Sequence, residues 1–206
     1  MLSFDSITHT YTLNGRPIPS VTQVLEDVGI IDYSRIPGET RERAMLRGSI
    51  VHLATQFDDE FVFGISKQPL DEDSIAPEYM GYVEAWRRFR AEKRFYCELI
   101  EHRVHDSKRG FAGTLDRTGY FEERPGAKIL LDIKTGSAEY WVRMQTAAYA
   151  GCFDAPRTFR RMCVELHADG TFYLRSFAEK DWQADFNEFL YALQVMRTKQ
   201  EKKWAA

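Results

Sequence analysis

The chain has 206 residues, 44% apolar and 14% aromatic, which is enough for a sizeable core and excludes a disordered polar chain. That length fits one domain, read here as a hairpin and helix over 1–38, a helical part over 39–94, a core sheet over 95–178 and a terminal helix over 179–206. The net charge of −3 excludes a globally basic nucleic-acid binder, so any phosphate affinity has to come from local patches.

In chain order, Phe4 to Leu13 alternates loosely and closes at Asn14-Gly15, a hairpin signal. Ser20 is the expected N-cap of a short helix that ends near Gly29. Pro37-Gly38 precedes a long helix over about 40–62, with Leu46, Ile50, Leu53, Ala54, Phe57 and Phe61 as its expected core stripe. At 100° per residue, His52 falls roughly 150° from the centre of that stripe. A polar loop over 64–74 leads to a helix opened by Pro77, whose stripe is Tyr79, Tyr82, Val83, Trp86 and Phe89.

Strands follow over Phe95–Val104 and Phe111–Phe121, joined by a turn at Lys108-Arg109-Gly110. A turn at Pro125-Gly126 precedes a third strand, Lys128-Ile-Leu-Leu-Asp-Ile-Lys134. Tyr140–Cys152 reads as a helix, Phe159–His167 and Thr171–Phe177 as strands turned at Asp169-Gly170, and Glu179–Lys203 as the last helix. The expected fold is an α/β mixed sheet flanked by helices. No stretch approaches the roughly 20 apolar residues of a membrane span, and the first residues lack the regions of a signal peptide. Cys97, Cys152 and Cys163 show no Cys-x-x-Cys spacing, so a cytoplasmic chain with free thiols and no iron–sulfur cluster is expected.

The third strand carries the chemistry. Asp132 and Lys134 are two apart and so share a strand face, in a run otherwise apolar on both faces. An unpaired charge buried there is costly, and a metal ion is the simplest compensation, with Asp116 arriving from the neighbouring strand. Magnesium takes oxygen ligands and keeps several waters, so two carboxylates suffice as protein ligands. Gln145 and Tyr149 are four apart and face one way on the next helix.

Gly113-Thr-Leu-Asp116, Asp132-Ile-Lys-Thr-Gly136 and Gln145-x-x-x-Tyr149, preceded by Arg47-Gly48-Ser-Ile-Val-His52 and Pro19-Ser-Val-Thr-Gln-Val-Leu25, together resemble the PD-(D/E)XK nuclease superfamily, in its RecB-like and phage recombination exonuclease branch. The resemblance spans roughly residues 16–150. It implies a restriction-endonuclease-like core and Mg²⁺- or Mn²⁺-dependent hydrolysis of DNA at its ends, for phage-type recombination or repair in a bacterial cytoplasm. Asp116, Asp132, the Ile133 carbonyl and His52 become the implied metal ligands. Lys134 orients or deprotonates the water, and Gln145 and Tyr149 line the site. An additional acid is expected, Glu101 first, with Glu84 and Glu98 open. Arg47, Arg143, Lys108 and Arg109 are the candidate DNA contacts, beside the arginine-rich run Arg87–Arg94. A single-strand annealing protein and further copies of the chain are the implied partners. Two other readings stand beside this one: a non-catalytic DNA-end-binding module of the same fold, and a structure-specific endonuclease.

Overall fold

The structure, a computed structural model, describes residues 1–204; Ala205 and Ala206, the end of the expected terminal segment, lie outside the described residues. The chain begins with a small antiparallel sheet, β1 (Leu2–Asp5), β2 (Thr10–Leu13) and β3 (Arg16–Ile18). The expected single run from Phe4 is thus two strands, turned at residues 6–9 where the Asp5 carboxylate accepts from the backbone N–H of Ile7 and Thr8. The second turn is Asn14-Gly15, both with positive φ, as its two-residue hairpin requires. Helix α1 (Val21–Asp27) opens with a capping box in which Ser20 and Gln23 satisfy each other's backbone N–H groups.

Helices α2 (Gly38–Val62) and α3 (Pro77–Lys93) come next, then the main sheet: β4 (Phe95–Asp106), β5 (Phe111–Phe121), β6 (Ile129–Lys134), β7 (Arg160–Leu166) and β8 (Phe172–Ser176). The spatial order is β4-β5-β6-β7-β8; β6 and β7 are parallel, joined through α4 (Val142–Ala150), and the other pairs are antiparallel. Helix α5 (Trp182–Trp204) closes the chain. This is a mixed five-stranded α/β sheet between helices. Leu130 packs with α1, α4 and α5 on one face, whereas Ile129, Leu131 and Ile133 pack with α2 and α3 on the other. Burial on both faces explains the continuous apolar run of β6. Among the described residues, no helix is long and apolar enough to cross a membrane.

Helix α2 corrects the expected stripe. Its inward residues are Val51, Ala54, Thr55, Asp58 and Asp59, whereas Leu46, Leu53, Phe57 and Phe61 are each about half exposed. The reason is a buried ionic lattice. Asp59 accepts from Trp86 Nε1 at 2.9 Å and Arg117 Nε at 2.6 Å and pairs with Arg90; Asp58 binds Arg87 and Arg90 at 2.7 and 2.8 Å. Periodicity of hydrophobicity has no access to partners 27 to 58 residues away. The same inversion turns His52 towards the sheet.

Candidate functional site

Each functional side chain arrives on a different element. Strand β5 brings Asp116, β6 brings Asp132, Ile133 and Lys134, β4 brings Glu101, α2 brings His52, and α4 brings Gln145 and Tyr149. Glu101 reaches the site through an irregular backbone. The β4–β5 ladder shifts between Cys97 and Leu99, and Ile100 and His102 pair with Arg117 and Leu115 while Glu101 has φ +44°. A left-handed residue other than glycine in a strand costs on the order of 1 kcal/mol or more, and such irregularities concentrate at functional sites.

His52, Glu101 and Asp116 form one group whose ligand atoms lie within 4.8 Å of one another. His52 Nδ1 stands 3.4 Å from Glu101 Oε1 and 3.6 Å from Asp116 Oδ1, and Nε2 donates to the Ile133 carbonyl at 3.1 Å. Both ring nitrogens face acceptors, which suits the imidazolium. Burial pushes the His52 pKa down, but the Asp116 and Glu101 carboxylates outweigh it and raise it to about 9. A proton on His52 thus offsets the charge of the two acids. One nitrogen and two carboxylates, beside a backbone carbonyl, make a donor set that fits a divalent cation. Asp116 is further fixed by the Ile133 N–H, which donates to Oδ2 at 2.6 Å, while burial raises its pKa.

Asp132 lies outside that triad, and its Oδ2 pairs instead with Lys134 Nζ at 2.7 Å. Burial raises the Asp132 pKa to about 6 although Lys134 opposes the shift. Burial also disfavours the Lys134 ammonium, but Asp132 and Asp116 outweigh it, so the group stays charged. Lys134 Nζ donates to Gln145 Oε1 at 3.3 Å, and Gln145 Nε2 donates to the Tyr149 hydroxyl at 3.1 Å. These two helix residues therefore join the lysine, with the Tyr149 hydroxyl held neutral by burial. The missing Cβ of Gly113 makes room for the Tyr149 ring, which a Cβ would meet at 2.5 Å.

The basic candidates separate. Arg47 donates to Thr135 Oγ1 at 3.2 Å, beside the turn that follows Lys134. Arg143 is committed to Asp185 at 2.7 Å, in a clamp that also holds the buried Arg161. Arg109 pairs with Asp106 at 2.7 Å, and the backbone N–H groups of Lys108 and Arg109 cap the same carboxylate, while both side chains remain exposed. Arg87, Arg88, Arg90 and Arg94 all pair with acids rather than forming a free basic patch. Of the three acids left open, Glu101 is in the group, Glu98 is exposed on β4, and Glu84 is exposed on α3 beside Gly170.

Arg117, Asp59 and Thr55 carry no motif signal, yet they hold the site. Arg117 is fully buried and donates to Asp59, to Glu101 at 2.9 Å, to the Asp116 carbonyl at 2.7 Å and to Thr55 at 3.2 Å. The one available signal is an arginine inside a strand flanked by buried residues, where an unpaired charge is costly. No protein-family model matches the sequence, and no curated protein matches it.

Proposed function

We propose that this chain is a divalent-metal-dependent deoxyribonuclease with a restriction-endonuclease-like core, acting on DNA ends in recombination or repair. The observation that carries the reading is the convergence of His52, Glu101 and Asp116 beside the Asp132–Lys134–Gln145 chain. Mg²⁺ or Mn²⁺, which His52, Glu101 and Asp116 would hold, would supply a water of lowered pKa and charge to offset the phosphate. Asp116 is oriented for ligation by the Ile133 N–H, and Glu101 by Arg117.

Lys134, kept an ammonium by Asp132 and Asp116, is suited to charge stabilisation on the phosphoryl oxygens. Gln145 holds that ammonium on the Asp132 side, and Tyr149 supports Gln145. Hydrolysis would join a water oxygen to phosphorus as the P–O3′ bond breaks, with one proton of the water released to solvent and O3′ protonated from solvent. The products are a 5′-phosphate and a 3′-hydroxyl.

The test is digestion of end-labelled linear duplex, single-stranded and closed-circular DNA with Mg²⁺, Mn²⁺ or EDTA, comparing wild type with Asp132→Ala and Lys134→Ala. Loss of linear DNA alone, abolished by EDTA and by both variants, is expected. Cutting of the circle would replace the exonuclease reading with an endonuclease. Cleavage that survives Lys134→Ala unchanged would refute the assigned site.

A further inference from the structure

We propose that the cleft beside Glu101 seats an unpaired nucleobase at the end of a single strand, against the aromatic face of the N-terminal sheet. The inference rests on the nuclease reading for its phosphate; the seat shares Glu101 with that site, while its wall is built from other residues. Floor residues Glu101, Gly113 and Thr114 and wall residues Phe4, His9 and Tyr11 line one cleft of about 640 Å³. That volume lies in the range of roughly 300–1,000 Å³ that encloses small-molecule-sized guests.

The wall is locked to the site. Tyr11 is buried, and its hydroxyl bonds Thr114 Oγ1 at 2.7 Å, two residues before Asp116. Ala112 N–H donates to the Pro19 carbonyl at 3.0 Å, fastening the end of the small sheet to the same strand. The Phe4 ring lies 4.6 Å from Tyr11, the Arg103 guanidinium lies over Phe4 at 5.0 Å, and His9 meets Phe4 edge-on at 5.8 Å. His9 and Arg103 are exposed, and His9 is held at φ +50°, a strained conformation for a side chain that reaches no core.

Aromatic rings and guanidinium planes are the groups on which unpaired bases stack. Further lining residues are Gln23 and Glu26, which can hydrogen-bond a base edge, while the Glu26 carboxylate repels phosphate. That polarity puts a base in the cleft and leaves the backbone phosphate on the metal-ligand side. A base within a duplex is stacked on both faces and enters such a seat only after unpairing. The substrate class is therefore a single-stranded or frayed end.

The test measures binding of a single-stranded oligonucleotide and a blunt duplex by fluorescence anisotropy to Lys134→Ala protein, with 2-aminopurine at each terminal position of the single strand. Terminal 2-aminopurine is expected to be quenched. Phe4→Leu with His9→Ala should weaken single-strand binding about tenfold, the surface change Arg103→Ala should weaken it several-fold, and Phe4→Trp should retain it. Circular dichroism establishes that each variant folds, and Arg103→Ala keeps the test decisive if the Phe4 variants do not. Equal binding of single strand by all variants, or duplex binding as tight as single-strand binding, would overturn the seat. Wild type that cuts DNA while these variants bind normally refutes the seat and leaves the nuclease. A quenched, variant-sensitive oligonucleotide that no metal causes to be cut refutes the nuclease and leaves the seat.

Discussion

Replacing Arg117 by Met removes the cation that joins α2, β4 and β5 behind the candidate metal ligands. Four acceptors lose a donor: Asp59, Glu101, the Asp116 carbonyl and Thr55. Breaking one side of a buried ion pair costs about 3–5 kcal/mol, because the remaining charge stays desolvated. Here Asp59 keeps Arg90 and Trp86 Nε1, and Glu101 is partly open to water, so the cost falls near the lower end, about 3 kcal/mol. For a chain of this length, that lowers the melting temperature by ~6–12 °C. Thermal unfolding followed by circular dichroism measures it, and Arg117→Lys should rescue little, because an ammonium lacks the planar fork. The same variant frees Glu101, so Mn²⁺ affinity measured by calorimetry on the folded protein should fall by about ten- to hundredfold. The double variant with Asp59→Asn should be less destabilised than the sum of the two single changes, since they share one interaction. A melting shift under ~2 °C, with Mn²⁺ affinity unchanged, would refute the reasoning.

Three further outcomes are expected. The His52 pKa is raised from 6.5 to about 9, so in metal-free protein its contribution to stability is complete below 6.5 and is lost as pH rises through 9. Melting curves of wild type should show that loss and those of His52→Gln should not; because Mn²⁺ must displace the proton, its affinity should climb about tenfold per pH unit towards 9. Gly113→Ala drives a Cβ to 2.5 Å from the Tyr149 ring, and should cost about 1–3 kcal/mol in chemical denaturation and lower cleavage by shifting the Gln145 support of Lys134. Ser20→Ala removes the capping box of α1 at about 1 kcal/mol, read by urea unfolding.

Local signals account for much of the scaffold. Turn chemistry at Asn14-Gly15 and Asp169-Gly170, the Ser20 cap and the doubly apolar run of β6 are local or single-element signals, so they could be read without a fold. The spacing of Asp132 and Lys134 likewise put them on one strand face, where they pair at 2.7 Å. The helix spacing of Gln145 and Tyr149 translated directly into their hydrogen bond.

Which face of α2 is buried depends on distant partners, because the acids there are neutralised by arginines from α3 and β5. The fold also determines that Glu101, not Asp132, completes the close group with His52 and Asp116, since that depends on an irregular strand and a left-handed residue. The fates of Arg143 and Arg109 depended on acids positioned by the fold. Charge carries no periodicity of its own: a charged side chain reads as surface until its partner, often tens of residues distant, is brought beside it.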